Sequence, residues 1–121
     1  MMSHKQQIVR DFWRKIASLD WDGLQVMFHP EAEISWPNTA ETFTPDTYVM
    51  INRNYPGKWK LDLERIEETN AHIISVTRIK SLNEAVSLRA ISIFGFQENA
   101  IISLTEYFAD DTAIPEWRRN R

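Results

Sequence analysis

The first half of the chain places its apolar residues at the spacing of helices. From Ser3 to about Leu19 they recur every three or four positions, which predicts an amphipathic helix with Ser3 as its N-cap. Asp20 caps a short second helix, and His29-Pro30 ends it. Thr44-Pro45 opens a third helix, and Pro56-Gly57 stops it.

In the second half of the chain the apolar period changes to two. Residues 32–36 already predict a short strand, and a longer alternating strand starts with Trp59 and Leu61. A strand over 73–79 and a long hairpin complete the pattern. We therefore expect a single α+β domain over residues 1–121, with three N-terminal helices packed on the concave face of a curved antiparallel sheet. Such a cone is a cystatin-like α+β barrel.

The hairpin near the C-terminus carries the most informative pair of charged residues. Its strands flank Glu98-Asn99, a two-residue turn whose Asn can take a positive φ. That turn places Arg89 opposite Phe108 and Ile91 opposite Glu106. Arg89 and Glu106 then become diagonal neighbours on an apolar strand face. Such a face holds either a buried ion pair or the floor of a binding cavity.

Glu106 is the predicted general acid or base. Burial on an apolar face raises the pKa of a carboxyl group toward the useful range, and a nearby Arg89 lowers it again. The alternative is a structural Arg89–Glu106 pair that braces the hairpin without doing chemistry, because removing one partner would strand a buried charge.

Further candidate residues lie on the helices, the first strand and the turn after it. A tryptophan wall with an amide and a carboxylate nearby is typical of a pocket rim. Glu41 is a catalytic candidate on this ground, with a merely solvated carboxylate as the alternative. The candidate ligand-binding residues are Trp13, Trp36, Asn38, Asn52, Tyr55, Trp59 and Phe108. His29, Glu31 and Glu33 cross a helix end and enter a strand, so no metal site is predicted.

Composition narrows the class of protein. The net charge of −3 argues against nucleic acid as the main partner, and no apolar run is long enough for a membrane span. The absence of cysteine excludes disulfides and thiolate chemistry and fits a cytoplasmic location. No nucleotide, dinucleotide or acyl-transfer motif is present, and we expect no cofactor.

The aromatic content and the second face of the hairpin point to association. Five Trp, six Phe and three Tyr would line a dense core, a cavity wall or a dimer interface. The second hairpin face is too apolar for full exposure, which predicts a homodimer interface. Its residues are Ala90, Ser92, Phe94 and Phe96 with Ile101, Ser103, Thr105 and Tyr107. Trp117, in the tail, is expected to dock on the domain or on a partner subunit.

Several short segments, taken in order, resemble a known superfamily. They are Phe28-His29-Pro30, Trp36-Pro37 with Glu41, Tyr55-Pro56-Gly57-Lys58-Trp59, Arg89-Ala90-Ile91-Ser92, Glu106-Tyr107-Phe108 and Pro115-Glu116-Trp117-Arg118. These segments and the order of predicted elements resemble a small bacterial branch of the SnoaL-like and ketosteroid-isomerase-like superfamily. That superfamily shares its cone-shaped fold with the nuclear transport factors. The likeness covers nearly the whole chain.

The resemblance implies a homodimer of cones, each with a pocket between the helices and the concave face of the sheet. Members include isomerases, epoxide hydrolases, dehydratases and polyketide cyclases, and others are non-enzymatic binders, so the fold alone does not decide the function. Trp13 stands near the place where the isomerases keep a catalytic Tyr. Because Trp has no oxygen to donate, this departure argues against isomerase chemistry in particular.

These observations predict a cytoplasmic, cofactor-free homodimer that binds a small, largely apolar organic molecule in the cone. Glu106 would move a proton in an isomerisation, hydration or hydrolysis, and Arg89 would set its charge or hold an anionic group. The alternative is a non-catalytic dimerisation or ligand-sensing module. A cone filled by its own aromatic side chains, with a closed Arg89–Glu106 pair, would favour that alternative.

Overall fold

Two helices open the chain, a third helix follows the first strands, and four long strands complete it, in the order that the sequence predicts. The computed structural model describes residues 2–121. Its helices are α1 (His4–Ala17), α2 (Trp21–Gln25) and α3 (Pro45–Arg53). Its strands are β1 (Phe28–Trp36), β2 (Glu41–Phe43), β3 (Trp59–Glu68), β4 (Ile73–Ser81), β5 (Ser87–Gln97) and β6 (Ala100–Asp110). Short 3-10 turns cover Pro37–Thr39 and Glu116–Arg118.

Each helix begins at its predicted cap. Ser3, Asp20 and Thr44 are the N-caps, and the side chain of each accepts a hydrogen bond from the backbone N–H three residues later. Pro45 occupies the first helical position of α3, where its missing N–H costs nothing. Helix α1 ends at Ala17, two residues earlier than predicted.

The six strands form one curved, unclosed sheet in the order β2-β1-β6-β5-β4-β3. Strands β3 to β6 are the predicted antiparallel meander. Strand β1 runs parallel to β6 and antiparallel to β2, so the complete sheet is mixed. The predicted α+β architecture, with helices packed on a curved sheet, is confirmed.

The first strand is longer than predicted. His29-Pro30 was expected to end α2, but it lies inside β1, because α2 already ends at Gln25 and β1 starts at Phe28. The register of β1 against β6 shifts between Phe28 and Glu33, and such irregularities are where a strand tolerates proline. Strand β2 was not predicted, since its three residues are too few to show a period of two.

Aromatic rings fill the space between the helices and the sheet. Phe12 of α1 lies at the centre, with the ring centroids of its aromatic neighbours 5.0 to 6.4 Å away. Those neighbours are Trp13, Phe28, Tyr48 and Phe94. The edge-to-face contacts contribute beyond the area that the rings bury, and they pack the interior of the cone with the protein's own side chains.

A β-bulge in the hairpin changes the predicted register by one residue. The pairs next to the turn follow the prediction, but Gly95 then pairs with Ser103. From that point on, Ser92 lies opposite Glu106, where Ile91 was expected. A Cβ on Gly95 would lie 2.3 Å from Ser103 Oγ, so a larger residue at the bulge would force the Ser103 hydroxyl to turn away.

Because strand side chains alternate, this shift exchanges the two faces of β5 relative to β6. The predicted Arg89–Glu106 neighbourhood is therefore wrong: Arg89 lies opposite Ala109, on the outer face of the sheet, and Glu106 faces the core. In the turn, Glu98 rather than its Asn neighbour takes the positive φ, at 57°. The predicted dimer face is also wrong in part, since four of its residues are buried in the core. They are Ala90, Ser92, Phe94 and Ile101.

The C-terminal tail stands away from the domain. Trp117 is 82% exposed, so its predicted docking on the domain is wrong, and docking on a partner subunit stays a prediction. Its ring contacts the guanidinium of Arg118, 5.5 Å from the ring centroid. Over residues 2–121, every helix is too short or too polar to cross a membrane.

Candidate functional site

A carboxylate lies inside the aromatic core. Glu106 of β6 is 1% exposed, and three side chains donate hydrogen bonds to it. Trp36 Nε1 and the Tyr48 hydroxyl bind Oε1 at 3.1 and 2.8 Å. The Ser92 hydroxyl binds Oε2 at 2.8 Å. All three donors are uncharged, and within residues 2–121 Glu106 forms no salt bridge.

Three different elements bring these donors to Glu106. The bulge places Ser92 directly opposite it on β5. Trp36 ends β1, the strand that runs parallel to β6 on its other side. Tyr48 lies in the first turn and a half of α3, whose start is fixed by the cap at Thr44. The site therefore depends on the packing of α3 against the sheet as well as on strand register.

Burial dominates the electrostatics of the site. It raises the pKa of Glu106 above its usual value, and the hydrogen bonds from Ser92, Tyr48 and Trp36 only partly offset that increase. Burial also raises the pKa of the Tyr48 hydroxyl, and the negative charge of Glu106 raises it further. Tyr48 therefore remains a donor at physiological pH, whereas burial disfavours the ionised form of Glu106.

Trp36 is the one partner of Glu106 that is only half-buried. Its indole packs edge-to-face against Phe43 and Phe108, with ring centroids 4.8 and 5.3 Å away. Two concavities of the surface lie elsewhere. One of about 490 Å³ lies at the hairpin tip and is lined in part by Val26 and Glu98. The other, of about 250 Å³, lies between α1 and β3.

Arg89 belongs to a separate cluster on the outer face. Its guanidinium binds Glu64 through Nε at 3.1 Å and through a second nitrogen at 3.2 Å, and it also binds Asp111. The hydrogen bonds that Arg89 donates to these carboxylates raise its pKa. Arg78 approaches Asp111 to 3.7 Å. Arg89 therefore has neither the position nor a free charge to act on Glu106.

Solved structures share the fold of this chain, although comparisons of sequence find no match. No protein-family model matches the chain, and no curated protein gives a significant match. A candidate ketosteroid isomerase from Kribbella flavida is similar with a TM-score of 0.84 at 16% identity, over 98% of this chain and 89% of that one. An NTF-2 like protein of unknown function from Burkholderia xenovorans gives 0.83 at 20% identity, over 95% and 90%.

A third similar structure is an LEH-like epoxide hydrolase from M. tuberculosis, with a TM-score of 0.73 at 13% identity over 88% of this chain and 83% of that one. The chain has the NTF2-like fold. The resemblance inferred from the sequence segments is thereby confirmed at the level of the fold.

On this NTF2-like scaffold, some predicted residues lie close to Glu106 without touching it. Phe108 packs on Trp36, and its backbone N–H donates to Asn38 Oδ1 at 2.9 Å, which ties the turn after β1 to β6. Asn52 is half-buried and donates to the backbone carbonyl of Tyr48 at 2.9 Å. Asn38 therefore holds the turn next to Trp36 on β6, whereas Asn52 bonds within the helix that carries Tyr48.

Other predicted residues lie away from the site. Glu41 is exposed and accepts a hydrogen bond from Thr39. Tyr55 and Trp59 pack on each other, with centroids 5.9 Å apart, beyond the end of α3. Trp13 is buried against β4, where its Nε1 donates to Ser75 Oγ at 3.0 Å.

Sequence reasoning missed two partners of Glu106. Ser92 was assigned to the opposite face because the bulge was not foreseen, although a glycine inside a strand, here Gly95, is a known signal of a bulge. Tyr48 was placed on the apolar side of α3 without a partner. Tyr48 and Glu106 are 58 residues apart in the sequence, and a local sequence pattern does not predict a contact between residues so far apart.

Proposed function

We propose that the protein binds a small, largely apolar organic molecule beside Glu106, and that Glu106 exchanges a proton with it in an isomerisation, hydration or hydrolysis. The observation that carries this proposal is a buried carboxyl group held only by uncharged donors. Without a cationic partner its pKa stays raised, which brings proton transfer closer to neutral pH. Arg89 has no part in this chemistry, because it lies on the outer face.

Access to Glu106 requires a movement of Trp36. Tyr48 and Ser92 are fully buried, so the half-buried indole of Trp36 is the side chain through which a ligand would reach the carboxyl group. A ligand oxygen that takes the place of Trp36 Nε1 would meet Glu106 and the Tyr48 hydroxyl together. One similar structure is described as an epoxide hydrolase and another as a candidate ketosteroid isomerase, and acid–base chemistry on oxygen-bearing organic molecules agrees with this arrangement.

The proposal is tested by proton exchange into small ketones. Wild-type protein and cyclohexenone are incubated in D₂O, and loss of the signal from the protons next to the carbonyl is followed by NMR. Styrene oxide is assayed in parallel for hydration. We expect the wild type to accelerate one of these reactions and Glu106→Gln to lose the acceleration by about a hundredfold or more.

Two controls decide what a loss means. Glu106→Gln keeps the size of the side chain and an oxygen that accepts from Trp36 and Tyr48, so it should fold, which circular dichroism checks. Glu41→Gln removes an exposed carboxylate and should leave the rate unchanged. A rate that is the same in Glu106→Gln as in the wild type would contradict the proposal.

The filled cone favours a second candidate function, a dimerisation module without catalysis. The outer face of the sheet carries an apolar patch that the helices do not cover. We define the outer patch as Ile74, Val76, Ile91, Ile93, Thr105 and Tyr107, which are cross-strand neighbours on β4, β5 and β6. Ile91 is 36% exposed and Tyr107 is 42% exposed. This patch replaces the hairpin face predicted from the sequence.

The charges around the outer patch suit a second copy of this chain. Arg65 pairs with Glu67 at 2.8 Å on one side of it, and Arg89 with Glu64 borders another. A two-fold interface brings each surface against itself, so a rim that carries both signs can complement its own copy.

The homodimer is tested by light scattering during gel filtration. We expect a dimer for the wild type and a monomer for Ile91→Glu, which places a charge in the centre of the outer patch. Val26→Glu adds the same charge at a residue that is 80% exposed on another surface, and it should stay dimeric. A monomeric wild type at micromolar concentration would exclude this function.

A further inference from the structure

A groove between α1 and β3 combines two cations with an apolar floor. Its lining residues are Arg10, Trp13, Arg14, Ala17, Leu61 and Leu63. Its volume is about 250 Å³, the space of about eight water molecules. The groove therefore has room for the polar end and part of the chain of a small amphipathic molecule.

A buried polar atom without a partner lies at this groove. Within residues 2–121, two buried side-chain atoms lack a hydrogen-bond partner, Arg10 Nε and Thr77 Oγ1. Arg10 lines the groove, whereas Thr77 does not. Folded proteins leave few buried polar atoms unpaired, so Arg10 Nε indicates that a polar partner belongs at the groove.

The charge at the groove is positive and only partly used. Among residues 2–121, Arg10 forms no ion pair, and Arg14 uses one guanidinium nitrogen to bind Asp11 at 2.9 Å. A guanidinium presents its donors as a planar fork that matches the two oxygens of a carboxylate. The apolar floor beside it favours a carboxylate with a hydrocarbon chain over an inorganic anion.

We propose that this groove binds an organic carboxylate with a short apolar chain, the chemistry of a medium-chain fatty acid. The carboxylate lies on Arg10, and the chain lies along Trp13 and the two leucines of β3. Ala17 leaves the space that the chain occupies. The groove floor on β3 is three strands from β6, or about 14 Å along the sheet, and Glu106 does not line the groove, so the two sites are separate.

The test is calorimetric titration of the full chain with sodium octanoate. We expect saturable binding, weaker binding of butyrate because its chain is shorter, and weaker binding of octanol because it has no charge. Arg10→Gln should weaken octanoate binding about tenfold or more. Arg65→Gln removes an arginine of the outer face, where it pairs with Glu67, and should leave binding unchanged.

A second variant tests the groove without changing its charge. Ala17 is exposed near the end of α1, so Ala17→Leu should fold normally while it fills the space for the chain, and octanoate binding should be lost. Absence of saturable octanoate binding to the wild type would overturn the proposal. Binding that neither Arg10→Gln nor Ala17→Leu weakens, or octanol binding as tight as octanoate binding, would overturn it as well.

Discussion

Glu106 lies in β6, and Asp111 follows directly after that strand. The pKa values of these two carboxyl groups shift in opposite directions on the two faces of the sheet. Glu106 faces the core, where burial raises its pKa and its partners are uncharged. Asp111 lies at the outer face, where hydrogen bonds from Ser87 and Arg89 lower its pKa.

The difference follows from where charged partners are available, which is on the outer face of the sheet and not in the core. On the outer face, water hydrates the polar atoms of Arg89 and its carboxylate partners that do not bond each other. An ion pair there therefore carries only a small desolvation penalty. In the core an arginine beside Glu106 would have to lose its hydration, which the sequence avoids by supplying Trp36, Tyr48 and Ser92 as donors. The consequence is a carboxyl group whose pKa is raised by burial, whereas hydrogen bonds at the outer face lower the pKa of Asp111.

The largest effect is expected from truncation of the interior carboxyl group. Glu106→Ala leaves the donors of Trp36, Tyr48 and Ser92 without an acceptor and opens a cavity, whereas Glu106→Gln keeps both the volume and an acceptor oxygen. We expect the alanine variant to be less stable than the glutamine variant by about 3 kcal/mol in urea unfolding. Equal stabilities would mean that the three donors readily find water, and that the interior cluster is more open than its burial indicates.

The dependence of stability on pH should separate the two faces by sign. The pKa of Glu106 in the folded protein lies above its ordinary value of 4.5, so between these two values the folded state binds more protons than the unfolded state. Stability from this group is therefore complete below pH 4.5 and is lost as the pH rises through the raised pKa, by about 1.4 kcal/mol per unit of increase. Glu106→Gln should lack this decline.

Asp111 provides the opposite case for the same measurement. Its folded pKa lies below its ordinary value of 3.8, so its contribution is present above pH 3.8 and is lost as the pH falls through the lowered pKa. Thermal unfolding of wild type, Glu106→Gln and Asp111→Asn across pH gives both differences. A wild type that follows Glu106→Gln at every pH above 4.5 would show that Glu106 has an ordinary pKa.

Most of the fold follows from local signals. The caps at Ser3, Asp20 and Thr44 and the change from a helical to a two-residue apolar period give the order of elements, because each signal acts within a few residues. The start of β1 and the whole of β2 do not follow, since a proline in a strand and a three-residue strand carry no such period.

The buried carboxylate of the candidate site could be predicted from the sequence, but its hydrogen-bond partners could not. A carboxylate on an apolar strand marks Glu106 as buried, but the identity of its partners depends on strand register. One bulge at Gly95 moves Arg89 outside and Ser92 inside, and this difference changes the predicted ion pair into a cluster without a cation. The contact with Tyr48 depends on how α3 lies on the sheet, which tertiary packing determines.

The smallest effect is expected from the outer cluster. Arg89→Gln removes a surface guanidinium that pairs with Glu64 and Asp111, so solvent screening keeps the loss of stability small, and high salt should abolish it. Arg65→Gln, whose pair with Glu67 is more exposed, should lose less. Urea unfolding at low and high salt measures both.

The informative control is the pH at which Glu106 titrates, which should be the same in Arg89→Gln as in the wild type, because the sheet separates the two side chains. A shift of that pH in Arg89→Gln would mean that the outer charges act through the sheet, and the contrast between its two faces would then be one of degree.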